Sequence, residues 1–536
     1  MTTSAAGRSF DALIIGGGHN GLVTAAYLAR AGLKVMVVER RAMLGGAAAT
    51  EEVFPGFRVN TGAFDAGLFL PEIYTGLRLE NEGLEFITPE AIAIAPQTDG
   101  PALTLWRDPV RAQVEIARFS KADAEKYPAY LRTVARFAEI MRLISVQTPP
   151  SIPQLHAGEL LPWLPVALKT KRLGNRQMME LLRLLPMPVS DFLDEWFDTP
   201  LLKAALASAG VTGTPLGPKA SGTAFMLLYQ AMNAGPAGFR ASRFVKGGMS
   251  RLSEALAQAA RRYGAEICLG FGVARILLDG ERVTGIELDS GEQIAAPMVV
   301  SSAAPRHTFF DLIGPAQFDV RFVREVKTIK SRGSMARVNL ALIGVPSFTG
   351  APPGDRAALG GHLLFCPSLE SLERASDDAK YGRFSQQPFL DAAIPTLLDP
   401  SLAPPGQHLM TVNVQYAPYT LQDESWEQAC DRLGERVVET LASYAPGIQE
   451  LITARQVLTP LNLEQTYGLT GGNIYHGEMG LDQLLFMRPV AGYGRYRTPL
   501  DGLYLCGAGA HPGGGVTGIP GYNAAREILA DLKSRH

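Results

Sequence analysis

Cysteine is scarce in this chain. Only Cys268, Cys366, Cys430 and Cys506 occur among 536 residues, and no two of them are close in the sequence. This spacing excludes a CxxC redox pair and the usual patterns of zinc ligands. A chain of this length buries enough apolar surface to fold without disulfides. We therefore expect a reducing compartment, which is the cytoplasm or, in a eukaryote, the mitochondrion.

A surplus of one charge and long hydrophobic runs are also missing. The 50 basic and 52 acidic side chains leave a formal net charge of −2, which is unlike a general nucleic-acid binder. Apolar stretches such as residues 160–168 are far shorter than the ~20 residues of a membrane-spanning helix. Residues 1–18 carry one basic residue before an apolar run, which is not the pattern of a signal peptide. We expect no membrane span, no targeting signal and no nucleic-acid partner.

Glycine, by contrast, is abundant, with 56 among 536 residues, about a tenth of the chain where ~7% is usual. Its most informative cluster is Gly16-Gly-Gly-His-Asn-Gly21. The cluster follows an apolar run at residues 11–15 and precedes a helical pattern at 22–31, and the next apolar run ends at Glu39. This order predicts a βαβ unit with G-x-G-x-x-G at its first turn and an acid about twenty residues later.

Each glycine of this turn has a structural role. Gly16 permits the tight turn, Gly18 lets a pyrophosphate approach the backbone, and Gly21 lets helix and strand pack closely. Free N–H groups and a partial positive charge at the helix N-terminus attract phosphates. His19 and Asn20 lie inside the turn, and we expect them to contact a dinucleotide cofactor.

The end of the second strand identifies the ribose site. Glu39 is placed to accept hydrogen bonds from a ribose diol, which disfavours a 2′-phosphate. Arg40 and Arg41 follow it and could attract such a phosphate, with a solvated strand end as the alternative. We expect Arg40 to be a cofactor contact.

A second glycine pair, Gly45-Gly46, indicates a flavin. Residues 43–50 read Met-Leu-Gly-Gly-Ala-Ala-Ala-Thr and resemble the GG motif of large FAD-dependent oxidoreductases, in which the chain folds back over the pyrophosphate and the ribityl chain. That motif often carries an arginine after its glycines. Here Ala47 takes that place, so a charge contact from this position is lost. The expected cofactor is FAD.

A block at residues 246–305 has the pattern of a further part of the cofactor domain. A glycine-opened helix is followed by short strands, and the last strand ends at Ser302. In flavoproteins of this kind the residue at Val273 lies along the adenine. We expect Val273 and Ser302 to contact the cofactor.

The C-terminal block repeats the order of strand, glycine loop and helix. Residues 501–506 are followed by Gly507 and Ala508, and the loop continues to Gly521. We expect the N–H groups of Gly515, Val516, Thr517 and Gly518 to face N1 and O2 of the isoalloxazine, where they would stabilise negative charge as the flavin is reduced. The alternative is a plain glycine-rich connection.

Four segments together resemble the phytoene dehydrogenase-related flavoproteins. They are GGGHNGLVTAAYLARAGLKVMVVERR, LGGAAATEEVFPGFRVNTGA, GGNIYHGEMGLDQLLFMRP and GLYLCGAGAHPGGGVTGIPGYNAAREIL. Within that family the likeness is strongest to the branch named pyridine nucleotide-disulphide oxidoreductase domain-containing protein 2. The family includes carotenoid desaturases, carotenoid isomerases and retinol saturases, and the resemblance spans nearly the whole chain.

The predicted fold is α/β, with a Rossmann-type FAD-binding domain that is discontinuous in sequence and a mixed α+β substrate domain with a helical cap. We assign residues 1–71, 244–308 and 500–536 to the FAD-binding domain. Residues 72–243 and 309–499 form the substrate domain, and the first of these segments carries the cap. Within the cap, residues 181–197 have the pattern of one helix.

One segment of the cap has the composition of a membrane-surface patch. The apolar residues 160–168 are followed by Lys169, Lys171, Arg172 and Arg176. Apolar side chains beside basic ones are typical of surfaces that lie on a bilayer, through which a lipophilic substrate could enter. The alternative is a cap helix that packs on its own domain.

Three residues are candidates for catalysis. His476 lies in the glycine-rich segment 471–483 and could act in acid–base chemistry or orient a polar group. Arg488 could neutralise the reduced flavin or anchor a loop, and His511 lies beside the flavin loop. For both histidines the alternative is a hydrogen-bonded structural role. No metal site is expected.

The resemblance implies hydride transfer between a carbon–carbon bond of a hydrophobic, isoprenoid- or carotenoid-like substrate and flavin N5. Such chemistry needs positioning more than it needs reactive side chains. No third G-x-G-x-x-G unit follows a strand in the middle of the chain, and no cysteine pair is present, so quinone or oxygen is the expected electron acceptor. The alternatives are a flavin amine or alcohol oxidase, a flavin-dependent polyene isomerase and a non-catalytic flavoprotein that binds a partner protein.

Overall fold

The structure is a computed structural model that describes residues 9–152, 157–235, 238–352 and 354–534. Residues 1–8, on which part of the signal-peptide prediction rests, lie outside these ranges. Within them, no helix combines the length and the apolar composition needed to cross a bilayer.

The strands are numbered in chain order. They are β1 (Ala12–Ile15), β2 (Val35–Glu39), β3 (Thr50–Phe54), β4 (Phe57–Asn60), β5 (Phe86–Ile87), β6 (Ala91–Ala95), β7 (Leu103–Trp106), β8 (Phe244–Val245), β9 (Glu266–Leu269), β10 (Val273–Asp279), β11 (Arg282–Leu288), β12 (Gln293–Ala295), β13 (Val299–Ser301), β14 (Met335–Leu342), β15 (His362–Phe365), β16 (Phe389–Ala393), β17 (His408–Gln415), β18 (Ile452–Leu458) and β19 (Leu503–Leu505).

The α-helices are numbered in the same way. They are α1 (His19–Arg30), α2 (Pro71–Gly76), α3 (Pro109–Ala117), α4 (Lys121–Ser145), α5 (Ala157–Leu160), α6 (Leu164–Leu184), α7 (Val189–Asp194), α8 (Pro200–Val211), α9 (Thr223–Gln230), α10 (Ser250–Arg262), α11 (Val320–Lys327), α12 (Arg356–Leu359), α13 (Leu369–Lys380), α14 (Trp426–Tyr444), α15 (Ile448–Leu451), α16 (Pro460–Tyr467) and α17 (Ile519–Ser534).

A parallel sheet forms the first layer of the molecule. Its strand order is β19-β13-β1-β2-β9, and all four pairings are parallel. Every residue of β1 and β2 is buried, as expected where both faces of a parallel sheet are covered. Helix α1 packs between α10 and α17. The strands come from three separate segments of the chain, while the exact domain boundaries stay a prediction.

A mixed seven-stranded sheet forms the second layer, with the order β18-β14-β17-β16-β15-β6-β7. All of its pairings are antiparallel except that of β15 with β6. Helices α3–α9 form the cap, in which α3 packs on β7 and α8 packs on β6. The two large sheets therefore belong to two layers, and a cavity opens between them.

The single helix predicted over residues 181–197 is wrong. Helix α6 ends at Leu184, and α7 begins at Val189 after an extended Pro188. Pro186 and Pro188 explain the break, because proline lacks the N–H that a helix needs and pushes the preceding residue towards extended backbone.

Candidate active site

A cavity of about 520 Å³ lies between the parallel sheet and the seven-stranded sheet. Its wall includes Gly16, Glu39 and Ser302, which follow or end β1, β2 and β13. Arg337 and His362 line it from β14 and β15. Ligands of open α/β sheets bind at the carboxyl ends of the strands, so this edge is the expected place for a cofactor.

Most of the predicted cofactor residues line this cavity. They are Gly16, Gly18, His19, Asn20, Glu39, Arg40, Gly45, Gly46, Ala47, Val273, Ser302, Ala508, Gly515 and Val516.

The four other predicted cofactor residues lie behind the wall. A Cβ at Gly21 would lie 2.2 Å from the Gly16 carbonyl oxygen, and one at Gly507 would lie 2.3 Å from that of Ser302. Gly518 has a φ of +70°. The Thr517 carbonyl accepts the N–H of Leu70 at 3.0 Å. These four residues support the wall, and their contact with the cofactor stays a prediction.

The glycines of the first turn differ in what surrounds them. Ser302 Oγ donates to the Ile15 carbonyl at 2.8 Å, and a Cβ at Gly16 would lie 2.4 Å from that hydroxyl. A Cβ at Gly18 would meet nothing within 4 Å. Gly16 is thus constrained by the protein itself, whereas the space beside Gly18 is open to a ligand.

The second glycine pair lies directly against this turn. The N–H of Gly45 donates to the Gly17 carbonyl at 3.0 Å, and Gly45 has a φ of +116°, which favours glycine. The nearest atom to a Cβ at Gly46 would be the Gly18 Cα, at 3.7 Å. The two glycine motifs therefore form one cradle of exposed backbone, as a pyrophosphate requires.

Glu39 lies at the ribose end of the cradle. It is buried, and its carboxylate accepts the N–H of Gly17 at 2.7 Å and that of Arg41 at 2.8 Å. Arg41 also pairs with Glu51 at 2.7 Å. Arg40 donates to the carbonyls of two residues in the opposite layer, Gln465 and Thr466.

Several buried polar atoms near the cradle have no partner in the described part of the chain. They are His19 Nε2, Asn20 Oδ1 and His476 Nδ1. Burial lowers the pKa of His19 to about 4, although a hydrogen bond to the Gly515 backbone opposes the shift. Unpaired buried polar groups are costly, so their position in the cavity wall fits a polar ligand. The cradle, the acid and these atoms fit FAD.

Of the three predicted catalytic residues, only His476 lines the cavity. Burial, reinforced by Arg488 and His19, lowers its pKa to about 4. Its imidazole is therefore neutral at pH 7.

The predictions that Arg488 and His511 are catalytic stay predictions, and the structure places neither side chain in the cavity wall. Arg488 is buried behind the cavity wall, and its guanidinium donates hydrogen bonds to five backbone carbonyls, among them Tyr475 at 2.6 Å and Ala508 at 2.8 Å. His511 is also buried outside the wall, with Nε2 3.3 Å from the Ile144 carbonyl. Both side chains hold loops together.

A buried polar network on the substrate side was not predicted from the sequence. Arg240 Nη2 donates to Asp391 at 2.8 Å, and His362 joins Asp391 at 2.7 Å and Asp65 at 3.3 Å. Burial and Arg240 oppose protonation of His362, but the two carboxylates outweigh them and raise its pKa. The sequence feature that could have indicated this network is a charged residue inside an apolar strand, such as Asp391 in Phe389–Ala393.

Two family profiles match the chain. The profile for flavin containing amine oxidoreductases matches residues 187–529, and that for an NAD(P)-binding Rossmann-like domain matches residues 14–64.

Three relatives match along almost the whole chain. The Rattus norvegicus pyridine nucleotide-disulfide oxidoreductase domain-containing protein 2 is 38% identical over 98% of this chain and 94% of its own length. A subunit of limonene dehydrogenase from Castellaniella defragrans is 30% identical, over 98% and 95%. Phytoene desaturase (lycopene-forming) of a Paracoccus strain is 25% identical over 98% of each chain. The resemblance found in the sequence is confirmed.

Solved structures share the fold. An oxidoreductase from Methanosarcina mazei is 17% identical with a TM-score of 0.60, covering 98% of this chain and 100% of its own. Putrescine oxidase bound to putrescine is 16% identical with a TM-score of 0.57, covering 98% and 99%. The predicted α/β fold is confirmed.

Proposed function

The chain belongs to the flavin containing amine oxidoreductase family, and we propose that it removes hydrogen across a carbon–carbon bond of a largely apolar, isoprenoid-like substrate. It is an FAD-dependent oxidoreductase. When bound, FAD accepts a hydride from the substrate and passes the electrons on. We propose quinone or oxygen as the acceptor of those electrons.

The observation that carries this proposal is the charge of the cavity wall on the substrate side. Arg240 and Arg337 place two guanidinium groups there, while the carboxylates of Asp65 and Asp391 are engaged with His362. A protonated amine would meet cations rather than a free carboxylate. This arrangement favours a non-amine substrate within a family whose name includes amine oxidoreductases.

The relatives support the same choice. One is named as a subunit of limonene dehydrogenase and another as phytoene desaturase, and both names describe removal of hydrogen from an isoprenoid. Apolar side chains of Leu68, Met335, Leu463 and Ile474 line the cavity beside the polar groups. An apolar chain can therefore be held over the cofactor, and its positioning supplies most of the acceleration.

His476 is the side chain we assign to ligand contact. It is neutral because burial lowers its pKa to about 4, and its Nδ1 has no partner in the described residues. We propose that it hydrogen-bonds the bound cofactor or receives the proton that leaves the substrate.

We also propose that the protein lies on an anionic bilayer through residues 161–172, which include the start of α6. Leu161, Leu164 and Leu168 are 74%, 52% and 47% exposed, and Lys169 and Arg172 beside them are exposed. The opposite face packs on α4. Exposed leucines next to basic side chains match the boundary between anionic headgroups and acyl chains.

Product analysis tests the proposed reaction. The purified holoenzyme would be given a quinone and, separately, an isoprenoid alkene, an isoprenoid carboxylate, an aliphatic alcohol and putrescine. We expect a product that has lost two hydrogens from an isoprenoid, and no aldehyde from putrescine. An aldehyde with ammonia would instead identify an amine oxidase, and an isoprenoid product of unchanged mass would identify an isomerase.

A further inference from the structure

Arg337 is a buried cation in the wall of the cavity. It lies on β14, is 3% exposed and lines the cavity. Its Nη1 donates to Thr411 Oγ1 at 3.0 Å, and its guanidinium carbon is 5.2 Å from the centre of the Phe64 ring. Among the described residues no Asp or Glu forms a salt bridge with it. Burial lowers its pKa to about 10, although Tyr467 and Asp391 oppose the shift, so it is still charged at pH 7.

A buried charge of this kind is costly unless a partner compensates it. The nearby network does not supply that partner directly, because its carboxylates are engaged with other groups. Asp391 pairs with Arg240 and with His362, and Asp65 lies 3.3 Å from His362 Nε2. Within the described residues Arg337 forms no salt bridge with either carboxylate, and it lines the cavity.

Strand register places further unsatisfied groups beside it. Asn413 lies opposite Arg337 in the pairing of β14 with β17, and opposite Asp391 in the pairing of β17 with β16. Residues directly opposite each other share one face of a sheet, so the three side chains form a row. Asn413 Oδ1 and Arg240 Nη1 are buried without a partner in the described residues, and both residues line the cavity.

We propose, on the basis of the function proposed above, that the sheet side of the cavity binds a carboxylate on the substrate, paired by Arg337 with Arg240 Nη1 as a second donor. A guanidinium matches the two oxygens of a carboxylate in a bidentate arrangement. The substrate is then an isoprenoid-like acid whose apolar chain extends from this row towards the cofactor.

Binding of farnesoic acid and its methyl ester to the holoenzyme tests this assignment, with the change in the visible flavin spectrum as the readout. The two probes share one apolar chain and differ in charge. We expect the acid to bind at least tenfold more tightly than the ester. Equal affinities, or no binding of the acid, would overturn the assignment of the carboxylate site. Equal turnover of the acid and the ester would still agree with the proposed reaction.

Substitution of Arg337 tests whether this residue contacts the carboxylate. In Arg337→Met the preference for the acid should disappear while FAD content stays that of the wild type, and Arg337→Lys should keep part of the preference. Loss of FAD from a folded Arg337→Met protein would show that Arg337 serves the cofactor phosphates instead, and the assignment would be wrong. Tighter binding of farnesyl phosphate than of the acid would also overturn it. The comparison of the acid with the ester uses the wild-type protein, so it tests the assignment even if a variant does not fold.

Discussion

Gly18 is the residue at which a ligand, rather than the protein, requires glycine. Its φ of −72° suits any residue, and a Cβ there would project into open space. Gly16 and Gly21 differ, because a Cβ at either position would collide with Ser302 or with the Gly16 carbonyl.

Gly18→Val should therefore fold normally but bind FAD at least tenfold more weakly, a loss of about 1.4 kcal/mol or more. The added side chain fills the space of the pyrophosphate. The measurement is FAD titration of apoprotein, together with thermal unfolding. Gly158→Ala is the matched control, since a Cβ at Gly158 also meets nothing within 4 Å and the residue lies outside the cavity wall. Unchanged FAD affinity in Gly18→Val would contradict the assignment of the cradle to pyrophosphate binding.

The buried hydrogen bonds of Arg488 predict an effect of its substitution on stability. Replacing it with Met would leave several buried carbonyls without donors, at ~1–3 kcal/mol for each, and we expect a total loss of about 3–5 kcal/mol after partial repair. Urea unfolding measures the loss. Arg321→Met, at an exposed arginine, should change little. An Arg488→Met enzyme with wild-type stability and no turnover would instead support the prediction that Arg488 is catalytic.

The buried imidazole of His511 predicts how the free energy of unfolding depends on pH. Its pKa is about 4 in the folded protein because of burial, against ~6.5 when unfolded. Between these values the unfolded chain binds a proton that the folded one does not, so the free energy of unfolding falls as the pH is lowered from 6.5 to 4. In His511→Gln apoprotein this dependence should be weaker by up to about 3 kcal/mol. An identical pH dependence in wild type and variant would contradict the buried neutral imidazole.

Sequence patterns identify residues whose roles are local. Gly16, Gly18 and Glu39 occupy a single βαβ unit, so their spacing along the chain already fixes their spacing in space. Arg337, His362 and Asp391 come from different strands, and only the order of the seven-stranded sheet brings them to one wall. No local motif contains that information, although a charged side chain in a buried strand marks each of them.

At the scale of elements, α6 shows where helical periodicity is insufficient. The pattern over residues 181–197 continues through Pro186 and Pro188, but the helix does not. Strand β2 and helix α1, by contrast, have their predicted type, because hydrophobic period and flanking residues agree there.

The exposed leucines at the start of α6 and directly before it predict membrane binding. Leu161→Ser with Leu164→Ser should reduce association with phosphatidylserine-containing vesicles at least fivefold, because apolar area that would enter the bilayer is removed. Vesicle sedimentation measures this. Ile343→Ser is the matched control, at a residue that is 53% exposed and directly follows β14. No binding by the wild type, or equal binding by both variants, would contradict the proposed surface.

At the scale of the whole molecule, the cavity joins two layers with different tasks. The parallel sheet supplies backbone and an acid to a dinucleotide, and the seven-stranded sheet supplies a charged row and apolar side chains. Three separate chain segments must fold together before the first layer exists, which explains why the glycine motifs are spread over the sequence.

The central claim is that this cavity holds FAD and delivers substrate hydrogen to it. The most direct measurement is the anaerobic visible spectrum of the purified protein before and after an isoprenoid carboxylate is added. We predict a flavin spectrum that is lost on addition and returns with a quinone or oxygen. A protein that carries no flavin and takes up none, or a bound flavin reduced by amines and not by isoprenoids, would contradict the account.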